Sequence, residues 1–247
     1  MEIKLLCQKD FSVINKTNIV LVDLGCAYGD FLSQLGCFGN ITAIGVDPLL
    51  SYYTQAVNEG ECTHNNLRRY SKLIEACVVP YKKEQATGHN ETTLNYYHDM
   101  PDVSSIYELS PNITDDTEDK DCFYHYLPNV VELLKSAQHT KVKVATISLV
   151  DIIMDYEHID ILKIDIQGPD LDILLELEPH YLDKITMIHI EGPNPMHQQL
   201  LYRRPMQTYD DYISFFSKHN FQLVGLYKLD NNMDNYTSDI DYIFIRR

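Results

Sequence analysis

Residues 22–31 read VDLGCAYGDF, an order typical of a loop that binds a ligand through its backbone. An apolar strand ends at Asp23, and Gly25 and Gly29 follow before a helix-like segment. Glycine has no side chain, so the backbone can turn tightly there and a ligand can approach it closely. In α/β sheets, ligands bind at the carboxyl ends of the strands, which is where this loop stands.

A second acid narrows the choice of ligand. Asp47 ends the next apolar run, 22 positions after Gly25, where an acid accepts hydrogen bonds from ribose hydroxyls. The dinucleotide pattern G-x-G-x-x-G does not fit, because Ala27 and Asp30 replace its later glycines, and the lysine of a Walker loop is absent. Asp23 suits a cofactor with a positive group. The predicted cofactor is therefore S-adenosylmethionine, which joins a ribose to an ammonium and a sulfonium.

Two apolar runs carry polar side chains at alternate positions. LKIDIQG places Lys163, Asp165 and Gln167 on one face of a strand, and MIHIEG does the same for His189 and Glu191. Buried polar groups lower stability unless they are paired, so either a buried network or a reactive site must explain them. Asp165 and Glu191 are predicted to contact substrate. His189 is either a general base or a core histidine, and Lys163 either pairs with a carboxylate or binds substrate.

Short apolar runs predict the strands that position these residues. The first four are nearly continuous and are followed by helix-like segments, which is typical of parallel strands in an α/β fold. Thr208 is the predicted N-cap of one helix and Pro169 the predicted first residue of another. The predicted strands are residues 19–22, 41–46, 159–166, 185–190 and 242–245, and the predicted amphipathic helices are 31–35 and 209–218.

The middle of the chain has a different pattern. Residues 92–97 predict a strand, with 104–107 as its partner or a turn. The acidic stretch 114–121 predicts a solvated loop, with a lid over the site as the alternative. The 247 residues are predicted to form one domain, with its core at 19–247 and an insertion or lid region at 92–140.

Composition limits the partners and the compartment. The formal net charge of -16 disfavours binding to a nucleic acid and favours a small or neutral acceptor. The six cysteines form no CxxC pair, the start lacks the apolar core of a secretion signal, and no apolar run approaches ~20 residues. These features predict a cytoplasmic protein with reduced thiols and no membrane span.

The motifs together resemble a known family. VDLGCAYGDF followed by IGVDP resembles the first two motifs of class I methyltransferases. VATISLVDII, IDILKIDIQGPDLDILLEL and MIHIEGP resemble three hallmarks of the FkbM-type methyltransferases. These are a threonine followed by leucine-aspartate, a lysine-x-aspartate-x-glutamate-glycine strand end, and a strand that ends in glutamate. TTLNYYHDM with SSIY resembles the family's variable strand pair, and the chain's ending resembles its last helix and two strands.

The resemblance implies the fold and the site. The fold would be α/β and Rossmann-like, a mostly parallel seven-stranded sheet flanked by helices, with an inserted strand pair and acidic loop in the middle. Three positions depart from the family pattern: Gln167 replaces glutamate, Asp170 follows a proline, and Asp47 replaces glutamate but keeps the ribose acceptor. Residues 75–77, with Ala76 at their centre, either border the adenine ring or form an edge strand with no ligand contact. The predicted cofactor residues are Asp23, Gly25, Cys26, Ala27, Tyr28, Gly29, Asp47, Pro48 and Ala76.

The implied activity is O-methyl transfer to a sugar hydroxyl of a glycan or glycosylated metabolite. The predicted catalytic residues are Asp165, His189, Glu191 and Lys163, with Asp165 or His189 taking the proton. A divalent metal between Asp165 and Glu191 is the less favoured alternative. Methylation of an RNA ribose and an inactive cofactor-binding interaction module are the competing readings of the chain.

Overall fold

A computed structural model describes most of the predicted core. The described residues are Ile14 and residues 17–35, 40–59, 66–81, 91–98, 101, 104–108, 139–193, 207–227 and 239–247. The predicted acidic loop at 114–121 lies outside them.

Seven strands form the main sheet. They are β1 (Asn18–Leu24), β2 (Asn40–Val46), β3 (Lys72–Ile74), β7 (Ile159–Ile164), β8 (Ile185–Pro193), β9 (Phe221–Tyr227) and β10 (Asp239–Arg246). Their order is β3-β2-β1-β7-β8-β10-β9. The neighbours from β3 to β8 run parallel, and β10 runs antiparallel to both β8 and β9. The predicted mostly parallel seven-stranded sheet is confirmed. Each predicted apolar run lies on one of its strands, although β7 ends at Ile164 rather than at the predicted Ile166.

A smaller sheet follows β3 along the chain. It contains β4 (Cys77–Val79), β5 (Glu91–Tyr97) and β6 (His139–Ser148), in the order β4-β6-β5. The strand predicted at 92–97 is therefore confirmed as β5. Ser105 makes an isolated antiparallel bridge with Asn95, so the 104–107 segment touches β5 without forming a second full strand. The antiparallel partner of β5 is instead β6.

The helices flank the sheets, and their ends follow from local hydrogen bonds. Thr208 is confirmed as an N-cap, because its side chain accepts a hydrogen bond from the backbone of Asp211. Pro169 does not begin a helix, because Asp170 accepts hydrogen bonds from Ile166 and Gly168 at 2.8 Å and so closes a turn first. The helices are α1 (Asp30–Gln34), α2 (Leu50–Asn58), α3 (Leu149–Ile153), α4 (Asp172–Leu175), α5 (Pro179–Leu182) and α6 (Tyr209–Lys218).

The apolar side chains lie on both faces of the main sheet, and β7 is buried along its whole length. On one face, Ile161 and Met187 pack with Phe31 of α1. On the other, Leu162 packs with Phe216 of α6. Because strand side chains alternate, Lys163 and His189 lie on the α1 face, one step beyond the apolar residues Ile161 and Met187. Within the described ranges, no helix is long and apolar enough to cross a membrane.

Asp170 should make stability depend on pH. Burial raises its pKa to about 7, and the nearby Asp165 charge adds to this, against the hydrogen bonds from Ile166 and Gly168. The folded state therefore keeps a proton that the unfolded chain releases above about pH 4. The contribution of Asp170 to the free energy of unfolding should therefore fall as the pH rises from about 4 to about 7.

Replacement of Asp170 by Asn should flatten this dependence, because Asn does not titrate and keeps one acceptor oxygen. Urea unfolding of the wild type and Asp170→Asn between pH 4.5 and 8 would measure it. The advantage of the wild type over the variant should shrink with rising pH, whereas Asp155→Asn, at an exposed position, should leave the profile unchanged. An advantage that grows with pH would contradict the expectation.

Candidate active site

The glycine loop after β1 packs directly on the end of β7. Gly25 has a φ of +72°, and its N–H donates to the Val46 carbonyl oxygen at 2.8 Å. A Cβ atom at Gly25 would lie 1.7 Å from the carbonyl oxygen of Asp165. Both the backbone angle and the close approach therefore require glycine at this position.

Asp47 joins the end of β2 to the glycine loop. One carboxylate oxygen accepts the N–H of Ala27 at 3.1 Å, and the other accepts the N–H of Leu49 at 2.8 Å. A carboxylate oxygen can accept more than one hydrogen bond. Asp47 can therefore order the loop and still offer an acceptor to a ribose hydroxyl, as its place in the sequence predicts.

A cavity of about 340 Å³ lies over the loop and the carboxyl edge of the sheet. Seven predicted cofactor residues line it, and Asp23 and Gly29 do not stand on its wall. The wall also includes Tyr53 and Leu94, and Ser104 and Ile106 from the segment after β5, none of which the sequence singled out for this role. The seven are Gly25, Cys26, Ala27, Tyr28, Asp47, Pro48 and Ala76.

Asp23 lies beneath the loop, fully buried. Tyr70 donates a hydrogen bond to one of its oxygens, and the other lies 3.7 Å from the Nζ atom of Lys163. Burial raises the pKa of Asp23, against the opposing effects of Lys163 and Tyr70. The Asp23 carboxyl group therefore faces Lys163 and Tyr70 rather than the cavity, which differs from the direct contact with a positive cofactor group that the sequence predicts.

Lys163 connects the two halves of the site. Its Nζ atom donates to the carbonyl oxygen of Gly25 at 2.8 Å and to the carboxylate of Asp165 at 3.1 Å. Burial alone would lower the pKa of Lys163, but the charges of Asp165 and Asp23 outweigh burial and raise it. The ammonium group therefore stays charged, and the predicted ion pair with Asp165 is present.

Gln167 stands between two carboxylates. Its Nε2 atom donates to Asp165 at 2.9 Å and to Glu191 at 3.3 Å. Burial would raise the pKa of Asp165, but Lys163 and these hydrogen bonds lower it, so this carboxylate is held ionised. Gln167 has a φ of +60°, and its carbonyl oxygen accepts a hydrogen bond from Ser105 at 2.5 Å. Such a backbone conformation in a residue other than glycine is typical of functional sites.

The polar residues predicted at this edge of the sheet differ in their access to the cavity. Lys163, Asp165, Gln167 and His189 line it, whereas Glu191 is not on its wall. The Gln167 amide, a hydrogen-bond donor, contacts both carboxylates of the alternative metal site. Among the described residues, no group of three or more His, Cys, Asp or Glu side chains is placed to hold a metal ion.

His189 has a partner that the sequence did not reveal. It is 2% exposed, its ring lies 4.8 Å from that of Phe31, and its Nε2 atom is 3.1 Å from the Asp241 carboxylate. Asp241 also lines the cavity. It was missed because β10 runs antiparallel, so that its beginning, rather than its end, reaches the active edge. The available signal was an acid directly before the apolar run at 242–245.

The strand order, the loop and the polar edge together define a Rossmann-like class I methyltransferase. A family model described as "Methyltransferase FkbM domain" matches residues 38–223, and the chain belongs to this family of methyltransferases. The resemblance and the fold class predicted from the sequence are thereby confirmed. Membership also confirms S-adenosylmethionine as the cofactor. The glycine loop at 22–31 precedes the matched residues, so its role rests on the structure and the sequence.

Solved structures with a similar fold are distant. OxaC in complex with SAH and oxaline is 10% identical with a TM-score of 0.40, and the match covers 97% of this chain and 46% of OxaC. The small RNA methyltransferase HEN1 is 13% identical with a TM-score of 0.37, and the match covers 100% of this chain and 27% of HEN1.

A third similar structure is an S-adenosylmethionine-dependent methyltransferase from Clostridium acetobutylicum ATCC 824. It is 9% identical with a TM-score of 0.41, and the match covers 98% of this chain and 92% of that one. No curated protein matches the chain significantly. The family match therefore carries the assignment.

Replacement of Asp47 by Ala should abolish detectable binding of S-adenosylmethionine in calorimetry. The variant loses the acceptor for a ribose hydroxyl and the two bonds that order the loop, and each hydrogen bond to a charged group contributes ~1.5–3 kcal/mol. Asp155→Ala, at an exposed position away from the cavity, is the control and should bind as the wild type does. Unchanged affinity in Asp47→Ala would refute its assignment to the cofactor site.

Proposed function

We propose that the protein is an S-adenosylmethionine-dependent O-methyltransferase that acts on a sugar hydroxyl of a glycan or glycosylated metabolite. The observation that carries the proposal is the polar wall of the cavity, where Lys163, Asp165 and Gln167 adjoin the glycine loop. Carboxylates accept hydrogen bonds from hydroxyl groups, and amides and ammonium groups donate hydrogen bonds to them. An acceptor rich in hydroxyl groups is complementary to such a wall.

The chain's residues have separate tasks in this reaction. S-Adenosylmethionine supplies a methyl group on a positively charged sulfur. The loop at 25–29, Asp47 and Ala76 hold the cofactor, with Asp47 on the ribose. Asp165 orients the acceptor directly, Glu191 acts through the Gln167 amide that donates to both carboxylates, and Lys163 holds Asp165 in place. Alignment of the acceptor oxygen with the bond that breaks, and exclusion of water, can supply much of the acceleration.

Charge supports a neutral acceptor over RNA. The formal net charge is -16, and a phosphate backbone would need a basic surface to bind. Near the cavity the fixed charges alternate, since Lys163 lies 3.1 Å from Asp165 and 3.7 Å from Asp23. No step of the proposed reaction requires a further cationic group at the acceptor.

We further propose that the whole chain forms one domain and works in the cytoplasm. Support for one domain comes from the apolar core, in which Val78 and Val150 near the small sheet pack with Leu162 of the main sheet. Support for the compartment comes from the thiols of Cys26 and Cys77, which are both buried and free. Burial raises the pKa of the Cys77 thiol to about 12, so it stays protonated at neutral pH.

Incubation with methyl-labelled S-adenosylmethionine would test the function directly. Glycan, small-alcohol and RNA pools would be separated after the reaction, and label is expected in the glycan pool. Label in RNA alone would instead favour ribose methylation. Cofactor binding in calorimetry with no label in any pool would favour an inactive cofactor-binding module. Asp47→Ala serves as the control for transfer that does not depend on the cofactor site.

Replacement of Asp165 by Asn should lower kcat by ~10–100-fold, because it removes a charged acceptor that contributes ~1.5–3 kcal/mol. Cofactor affinity should change little, since Lys163 still donates to the Gly25 carbonyl oxygen. Steady-state kinetics of methyl transfer would measure the effect on kcat, and calorimetry would measure the effect on cofactor affinity. Full turnover in Asp165→Asn would show that this carboxylate does not act on the acceptor.

A further inference from the structure

We propose that Asp241 is a catalytic residue that takes the proton of the acceptor hydroxyl, and that His189 is the positioning residue behind it. This inference rests on the proposed O-methyl transfer. It assigns the base to a side chain that the sequence motifs do not include.

Asp241 is placed to reach a bound acceptor. It lines the cavity, and its side chain is 14% exposed. One carboxylate oxygen lies 3.1 Å from the Nε2 atom of His189. No residue in the part of the chain that the structure describes donates a hydrogen bond to its other oxygen. Asp241 can therefore keep its contact with His189 and accept a proton on the second oxygen.

Two of the other acids on the cavity wall have hydrogen-bond partners on both carboxylate oxygens. Asp165 uses one oxygen for Lys163 and the other for Gln167, and these partners lower its pKa. Asp47 accepts two backbone hydrogen bonds of the loop and is assigned to the cofactor ribose. Asp30 is exposed at the start of α1. Among the described residues on the wall, Asp241 is the partly buried carboxylate with a partner on only one oxygen.

The His189 side chain is 3% exposed and that of Asp241 14%, so the carboxylate is the more accessible of the two proton acceptors. Neither ring nitrogen makes a well-aligned hydrogen bond to a described residue, although Nε2 stands close to Asp241. A buried polar ring left without such a bond is costly and is typical of a functional group. Lys163 lies beside His189 in register on β7, and Phe31 covers it from α1. The ring is therefore held with its Nε2 atom beside the Asp241 carboxylate.

The proton transfer balances with methyl transfer. As the methyl carbon leaves sulfur and bonds to the acceptor oxygen, that oxygen gains positive charge and its O–H bond becomes much more acidic. The O–H bond then breaks, and the proton goes to a carboxylate oxygen of Asp241. Sulfur keeps the electron pair of the broken C–S bond, so both the sulfur and the methylated oxygen end neutral. A carboxylate is a strong enough base for such an oxygen, and a positioned base contributes ~10²–10⁴-fold to a rate.

Kinetics of Asp241→Asn would test the assignment, with Asp155→Asn as the matched control at an exposed position. We expect kcat to fall ~100-fold or more in Asp241→Asn, from the loss of a general base. Cofactor affinity in calorimetry should stay within about twofold, since hydrogen bonds to the cofactor loop are untouched. A folded Asp241→Asn variant with wild-type kcat would overturn the proposal.

Chemical rescue separates a proton acceptor from a merely structural side chain. Added formate should restore part of the activity of Asp241→Ala, because it supplies a carboxylate in the space that the side chain leaves. It should not raise the activity of the wild type or of Asp165→Asn. Absence of rescue in an Asp241→Ala variant that binds the cofactor normally would overturn the role of Asp241.

A double-mutant cycle tests the role of His189. If His189 acts through Asp241, His189→Gln should lower kcat in the wild type but should have no further effect in Asp241→Asn. Additive losses would show that His189 acts independently. The acceptor for these assays is whichever pool the wild type labels, so label outside the glycan pool would refute the sugar acceptor and leave the Asp241 test intact. No label in any pool would refute both.

Discussion

The buried ammonium group of Lys163 is the interaction on which the rest of the site depends. Removing one partner of a buried ion pair typically costs ~3–5 kcal/mol, because the remaining charge is left uncompensated. Here the carbonyl oxygen of Gly25 and the carboxylates of Asp165 and Asp23 surround the charge. One lysine therefore holds the loop after β1 against the end of β7, so that the cofactor side and the acceptor side of the cavity keep a common geometry.

The sheet can contain such a charge because the polar residues form one row at its active edge. Asp23, Lys163 and His189 are partners in register on the adjacent strands β1, β7 and β8. The row before them on the same face is apolar, with Leu21, Ile161 and Met187 all buried. The alternation of strand side chains thus places the charges one step beyond the hydrophobic core, where they can pair with one another and reach the cavity.

The sequence predicted those features that depend on strand periodicity. Lys163, Asp165, Gln167 and His189 meet at one edge because parallel neighbours bring equivalent ends together, and the apolar runs identify those strands. The periodicity does not tell which way a last strand runs, so Asp241 at the start of the antiparallel β10 was missed. It also does not tell what lies beneath a loop. The charge of Asp23 therefore suggested a cofactor contact, whereas the structure pairs it with Lys163 and Tyr70.

Gln167 replaces the glutamate of the family pattern, and the loss of this carboxylate suits the charges of the neighbouring side chains. A glutamate at this position, as in the family pattern, would place a third carboxylate beside Asp165 and Glu191, and mutual repulsion would raise their pKa values. The amide instead donates to both, at 2.9 Å and 3.3 Å. Lys163 can then neutralise Asp165 without a second cation. The substitution therefore replaces a repelling charge with two hydrogen bonds, and it leaves Asp241, with its partner His189, outside that network.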